Sequence, residues 1–250
     1  MEYWVVIVVG GVIAGFVQGL SGFGFGLASL AIWSWVLEPE AAVPTVVFGS
    51  LVGQLLATGS LRQHMDIARA GPFLIGGVLG IPLGLWLLSL IDPLLFKFGL
   101  GALLFVYCFI MLFIKHIHKI SWGGRFADGV AGWIGGVAGG VGGIPGALPT
   151  LWCSLRGWQK DQQRSVFQMF NLLMHIITFA SFVLLGLIQP QTVKIIAVVT
   201  PCIILPTLLG LRMYQRFSDK TFRLIVLSLL LSSSITLLIA TAPQVLAKLL

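Results

Sequence analysis

Polar side chains recur at helical spacing inside two otherwise apolar stretches, and they are the residues best suited to chemistry. The two sets are spaced i, i+4, i+8 and i, i+3, i+7: Ser50, Gln54, Thr58 and Gln168, Asn171, His175. Such spacings place each set on one face of an α-helix. Buried amide and hydroxyl groups need hydrogen-bond partners, so each face indicates either a ligand site or hydrogen bonding between helices.

His175 is the titratable member of these two sets. It lies eleven residues past Arg164 in a stretch that contains no Asp, Glu, Lys or Arg, which is about 16 Å along a helix. An imidazole there either hydrogen-bonds as a neutral ring or gains and loses a proton near neutral pH. Both interpretations stay open, and His175 is the candidate for proton coupling.

Two glycine-rich segments divide the charge-free runs 3–37 and 129–155. They read SGFGFG at residues 21–26 and GGVGGIP at residues 139–145. Glycine loosens a helix and proline removes a donor, so each stretch is predicted to form two half-helices. Pro145 is expected at the first helical position of its second half-helix, and Ser21 is expected to cap the other.

The amide groups that begin a half-helix attract anions without any ionised side chain. The predicted substrate-binding residues are therefore the two breaks and the polar faces beside them: Gln18, Ser21, Gly22, Phe23, Gly24, Gln54, Gly142, Gly143, Ile144, Gln168 and Asn171. The alternative is that the glycines only allow close helix packing. Packing is the expected role of Gly76, Gly80 and Gly84, which are evenly spaced by four.

The overall composition indicates whether these segments lie in water or in a lipid bilayer. Of 250 residues 58% are hydrophobic and 9% are charged, and eight charge-free runs cover 3–37, 41–61, 70–91, 98–114, 129–155, 165–193, 195–211 and 224–247. A helix needs about 20 apolar residues to cross a bilayer, so the runs predict a polytopic membrane protein in contact with lipid. The net charge of +7 comes from Lys and Arg at the borders of these runs, so no nucleic-acid partner is expected.

The cysteines show no metal-site or disulfide spacing, and the pair His116 and His118 alone is weak evidence for a metal, so neither a metal nor another cofactor is expected.

The border cations also predict the topology. If each glycine-broken run enters and leaves on one side, twelve of the 15 cations share a side: Arg62, Arg69, Lys115, Lys119, Arg125, Arg156, Lys160, Arg164, Arg212, Arg216, Lys220 and Arg223. The other side holds Lys97, Lys194 and Lys248. The positive-inside rule makes the rich side cytoplasmic, with both termini outside.

The predicted fold is an all-α membrane domain over residues 1–250, built as an inverted repeat of 1–119 and 120–250. Each half is a glycine-broken helical hairpin followed by three transmembrane helices. An echo at an offset of 117 supports the repeat, matching two sets of glycines: Gly15, Gly19, Gly22, Gly26 and Gly132, Gly136, Gly139, Gly143. Many secondary transporters have this architecture, with the substrate at the broken helices.

Six segments, at residues 19–26, 37–44, 80–84, 139–145, 157–160 and 216–223, make the chain resemble the sulfite exporter TauE/SafE family. The resemblance implies a permease of the bacterial or archaeal cytoplasmic membrane for small anions. Sulfite, organosulfonates, related sulfur compounds and small carboxylates are the substrates that it implies.

Two other classes are alternatives to a transporter. A membrane-embedded enzyme would need Cys153 and His175 to converge, and a non-transporting assembly factor or receptor would need no substrate path. The sequence leaves substrate, direction of transport, coupling ion and oligomeric state open.

Overall fold

The computed structural model describes residues 2–22, 24–58, 66–113, 120, 122–158, 160–213 and 219–249, and helices are the regular secondary structure within them. The helices of the first half are α1 (Glu2–Ser21), α2 (Phe25–Trp33), α3 (Pro39–Thr58), α4 (Ile67–Leu90) and α5 (Pro93–Phe113). Those of the second half are α6 (Gly124–Gly142), α7 (Ala147–Leu155), α8 (Lys160–Leu184), α9 (Pro190–Met213) and α10 (Asp219–Leu249). The all-α prediction is confirmed.

Seven of these helices are long and apolar enough to cross a membrane: α1, α3, α4, α5, α8, α9 and α10. Their outward surface is apolar, with Ile75 and Leu79 on α4 and Leu205 on α9 well exposed. Apolar side chains cover a lipid-facing surface at no cost, whereas a water-soluble protein of this size would bury them. The chain is a multi-pass membrane protein.

Both glycine-broken segments double back as hairpins. Trp33 at the end of α2 donates its indole N–H to the Ile7 carbonyl near the start of α1, at 3.1 Å. Trp152 near the end of α7 donates to Asp128 Oδ1 near the start of α6, at 2.8 Å. Each second arm therefore ends beside the beginning of its first arm, as the hairpin prediction requires.

The arms of each hairpin differ in length, which the prediction of two half-helices missed. The first arms have 20 and 19 residues and the second arms have 9 each, or about 30 Å against 14 Å along the axis. Only the second arm of each hairpin is a half-helix.

Glycines let four helices cross in close contact in two matching pairs. On α4, added Cβ atoms at Gly76, Gly80 and Gly84 would strike the carbonyl oxygens of Gly129, Trp133 and Val137 on α6. This contact confirms the packing role predicted for these three glycines.

The second pair repeats the arrangement between α1 and α9. Cβ atoms at Gly15 and Gly19 would strike the carbonyl oxygens of Ile203 and Thr207. Their counterparts at the offset of 117, Gly132 and Gly136, meet the carbonyls of Phe73 and Gly77 in the same way. Equivalent glycines of the two halves therefore make equivalent contacts, each hairpin packing its first arm against a helix of the other half.

Candidate functional site

Each break begins with a glycine in the left-handed conformation. Gly22 has φ 80° and Gly143 has φ 65°. Their N–H groups bond to the carbonyls of Gln18, at 2.7 Å, and Gly139, at 2.8 Å. A left-handed glycine commonly ends a helix in this way, because residues with a Cβ pay for that conformation. These two glycines terminate the first arms.

The tips of the two hairpins touch one another. A Cβ added at Gly26, at the start of α2, would lie 2.8 Å from the Gly143 carbonyl oxygen and 2.7 Å from Ile144 Cγ2. A Cβ at Gly143 would lie 3.0 Å or less from Val46 and Val47 of α3. The structure thus brings three predicted site elements together: both breaks and the helix that carries Gln54.

Polar side chains hold the first tip. Gln18 accepts from the Phe25 N–H at 3.0 Å and donates to the Gly22 carbonyl at 3.4 Å. Gln54 donates to the same carbonyl at 2.7 Å. Gln18 and Gln54 are both completely or almost completely buried. They fix the backbone of the break, so the first tip is braced before any ligand arrives.

Ser21 closes the same turn but does not cap α2 as predicted, because Gly24 occupies the N-cap position. It accepts from the Gly24 N–H at 2.9 Å and donates to the Val17 carbonyl at 2.8 Å. Gly24 precedes the first residue of α2, so Ser21 bonds to the residue before that helix. Phe23 lies outside the described residues.

The second tip differs from the prediction at Pro145. The Ala147 N–H bonds to the Ile144 carbonyl at 3.4 Å, so a turn precedes α7 and the helix begins at Ala147. Pro145 therefore occupies the second position of a four-residue turn, a position that proline favours because its φ is fixed. The expectation that it would be the first helical residue was wrong.

Asn171 lies against this turn. Its side-chain amide contacts the Cα of Gly146, the residue that precedes α7, so closely that a Cβ there could not fit. Asn171 is 1% exposed, and neither its Oδ1 nor its Nδ2 has a hydrogen-bond partner among the described residues. An unpaired buried amide costs about 1–3 kcal/mol, so it needs an explanation.

Gln168, one turn earlier on α8, faces the other tip. Its Nε2 lies 4.0 Å from the position of a Cβ at Gly22 and has no hydrogen-bond partner in the described part of the chain. Two amides of one helix therefore reach the two tips, with Gln168 beside the first and Asn171 beside the second.

His175 is buried beside the second break. Its Nδ1 lies 2.6 Å from the Asn171 carbonyl oxygen and its Nε2 lies 3.3 Å from the Gly143 carbonyl oxygen. A neutral imidazole has one N–H, so it donates to only one of these acceptors, whereas the protonated ring donates to both. The contact with the Gly143 carbonyl places the imidazole against the backbone of the second tip.

The polar faces are only partly assembled at the tips. Gln54 and Asn171, which are separated by the same offset of 117, both reach the breaks. Ser50 is buried, with an unpartnered hydroxyl. The side chain of Thr58 lies outside the description, and Gly142 is the last residue of α6.

Two contributors were missed at the sequence level. Gly146 makes room for Asn171, and its signal was only its place after Pro145. Asp128 joins the arms of the second hairpin, where it pairs with Arg156 at 2.6 Å and accepts from Trp152. A border carboxylate 28 residues from its partner gives no local signal.

Fold and tip geometry define a multi-pass helical membrane protein with two touching broken-helix hairpins, an arrangement typical of secondary transporters. The family model described as "Sulfite exporter TauE/SafE" matches residues 7–237. The chain belongs to the sulfite exporter TauE/SafE family and is therefore a membrane transporter of the sulfite-exporter type. No curated protein and no solved structure matched it.

Proposed function

We propose that the chain carries small anions across the membrane through a site between the two hairpin tips. Sulfite, organosulfonates, related sulfur compounds and small carboxylates are the substrate class. The observation that carries the proposal is the buried Asn171 amide, which is without a hydrogen-bond partner beside the start of α7. A bound anion would provide the missing acceptor for Nδ2.

The chemistry of the tips favours an anion over a cation. Gln168 Nε2 and Asn171 Nδ2 are donors, and the N-terminal ends of α2 and α7 bring positive ends of helix dipoles to the same place. No described Lys, Arg, Asp or Glu is among these tip residues. Neutral donors hold an anion weakly enough to release it, as a transporter requires.

Alternating access fits the way in which the hairpins meet. Each first arm packs on a helix of the other half, and the tips touch through Gly26, Gly143 and Ile144. We take residues 1–119 and 120–250 as inverted repeats that rock about this contact. The twelve cations define the cytoplasmic side of a prokaryotic inner membrane, with both termini outside.

Transport into proteoliposomes tests the anion site. Wild-type protein is expected to move sulfite, a sulfonate or a small carboxylate, and Asn171→Leu is expected to lower the initial rate at least tenfold. Gln168→Leu should also lower it. Gln244→Leu is the matched control, because Gln244 is exposed on α10 and bonds only to its own helix in the described contacts.

Anion binding to the detergent-purified protein gives the independent check. Small anions are expected to raise the melting temperature of the wild type and of Gln244→Leu but not of Asn171→Leu. If apolar compounds stabilise the wild type and no small anion does, the anion site is refuted.

We further propose that His175 couples transport to protons. Protonation would let the ring donate to both carbonyls that it faces, on α8 and on the second tip, and would place a positive charge beside the substrate site. Transport by His175→Gln should therefore lose its dependence on a pH gradient while substrate binding persists. Unchanged coupling in this variant would refute the role of His175.

A further inference from the structure

A polar cavity lies away from the hairpin tips, where α4, α6 and α8 begin and α7 ends. It has a volume of about 380 Å³ and is lined by Ala68, Arg69, Pro72, Gly124, Arg125, Asp128, Arg156, Trp158 and Gln162. Arg125 precedes the break at Gly142 by 17 residues, or about 26 Å along α6. The cavity is thus a separate feature that the transport proposal does not use.

The lining carries an excess of positive charge. Three arginines and one carboxylate line the cavity, and that carboxylate, Asp128, is already paired with Arg156 at 2.6 Å. Arg69 pairs with Asp66, outside the lining, at 3.1 Å, so three arginines against two carboxylates leave one net positive charge. Arg125 donates to the Ala68 carbonyl at 3.4 Å, which holds it at the rim between α4 and α6. A guanidinium presents five donors in a planar fork that matches the oxygens of a phosphate group. The charge and its geometry fit a phosphate.

Aromatic side chains place the cavity at the depth of lipid headgroups. The Arg156 guanidinium lies 5.6 Å from the centre of the Trp158 ring, inside the lining. Close in sequence to the lining residues Gly124 and Arg125, Trp122 is 71% exposed and Phe126 is 83% exposed. Tryptophan is enriched where a membrane protein meets the headgroup region, and arginine binds lipid phosphates there.

The surface next to the cavity is suited to acyl chains. Further along α4, Ile75 and Leu79 are exposed, and their spacing from Ala68 and Pro72 places them on the side of α4 that lines the cavity. A free phosphate would use only the arginines, whereas a phospholipid would also cover this apolar surface. The continuity of the two surfaces favours the lipid.

We propose that this cavity binds the phosphate group of an anionic phospholipid, with Arg69 and Arg125 as its main contacts and the acyl chains along α4. Arg156 holds Asp128 and shapes the wall. A bound lipid would bridge α4 and α6, and so would stabilise the contact between the two halves.

Native mass spectrometry and thermal unfolding of the full chain in neutral detergent test the site. Phosphatidylglycerol is expected to bind and raise the melting temperature, whereas phosphatidylcholine and inorganic phosphate at equal concentration are not. The double variant Arg69→Gln/Arg125→Gln should bind phosphatidylglycerol at least tenfold more weakly. Arg212→Gln is the control, because Arg212 is an exposed border arginine on α9 outside the cavity.

The results separate the possible sources of phosphate. Equal binding of both lipids, or equal losses in the double variant and in Arg212→Gln, would overturn the proposal, since general surface charge would then explain the binding. Stabilisation by inorganic phosphate alone would also overturn it, in favour of a free anion. If the double variant does not fold, Arg125→Gln alone should still weaken phosphatidylglycerol binding, and unchanged binding would refute the site.

Discussion

The two hairpins share a backbone design but differ in the chemistry that holds them. Both first arms end at a left-handed glycine, and both second arms return a tryptophan to the beginning of the first arm. In the first hairpin that indole bonds to a backbone carbonyl. In the second it bonds to Asp128, which also pairs with Arg156. The arms of the first hairpin are therefore joined by a neutral hydrogen bond, and those of the second also by an ion pair.

The two tips also differ in how the polar side chains beside them are hydrogen-bonded. Gln18 and Gln54 bond to the backbone of the first tip, whereas neither polar atom of the Asn171 amide beside the second tip has a hydrogen-bond partner among the described residues. Gln168 adds one unpaired donor, Nε2, beside the first tip. We infer that the first hairpin forms the fixed wall of the substrate site. The second hairpin is held by the ion pair between its arms and contacts the ligand at its tip.

Breaking the ion pair that joins the arms of the second hairpin should have the largest effect on the free energy of unfolding. Asp128→Ala leaves Arg156 without its carboxylate and Trp152 without its acceptor. Because the Asp128 and Arg156 side chains are only 7% and 19% exposed, the expected loss is about 3 kcal/mol in the free energy of unfolding. Unfolding in detergent measures it.

A double variant distinguishes charge pairing from the loss of packing. Asp128→Ala/Arg156→Ala should be less destabilised than the sum of the two single variants, because no unpaired charge remains. Strict additivity would show that the two residues do not stabilise each other.

Alanine substitutions at the two left-handed glycines, Gly22 and Gly143, form a matched pair with intermediate effects on stability. Gly22→Ala should lower the free energy of unfolding by about 1 kcal/mol because of backbone strain. A steric clash adds nothing, because an added Cβ would lie 4.0 Å from Gln168 Nε2, the nearest described atom outside its chain neighbours. Gly143→Ala should cost roughly 1 kcal/mol more, because its Cβ would come within 3.0 Å of Val46 and Val47. Thermal unfolding of both variants gives the comparison, and equal losses would contradict the packing of the second tip.

The smallest expected effects on stability distinguish a residue that supports the first tip, Gln54, from one that binds the ligand, Asn171. Gln54→Leu removes a donor to the Gly22 carbonyl and should cost about 1 kcal/mol of stability. Asn171→Leu removes an unpaired polar group and should leave stability unchanged or raised, although the stabilisation by anions is lost. Reversal of this order in unfolding experiments would assign the bracing role to Asn171 instead.

The sequence predicted those features that depend on local composition or on counting charges. Charge-free runs of sufficient length located the helices, and glycine runs located both breaks. The role of Gly76, Gly80 and Gly84 followed from their spacing, because close packing needs small residues on one helical face.

Features that depend on distant contacts were less accessible. Pro145 fits both the first position of a helix and the second position of a turn, and the backbone geometry decided between them. The pair of Asp128 and Arg156 was missed because border charges are ordinarily solvated. That Asn171 rather than Gln54 keeps an unpaired amide depends on how α8 packs against α7.

The most direct test of the anion site is a crystal structure of the protein soaked in selenite, a heavier analogue of sulfite, with selenium located by anomalous scattering. We expect a selenium peak between the two tips, within hydrogen-bonding reach of Asn171 Nδ2 through the selenite oxygens. The peak should be absent in Asn171→Leu crystals. A peak confined to the arginine-lined cavity, or one between the tips that persists in Asn171→Leu, would contradict the account.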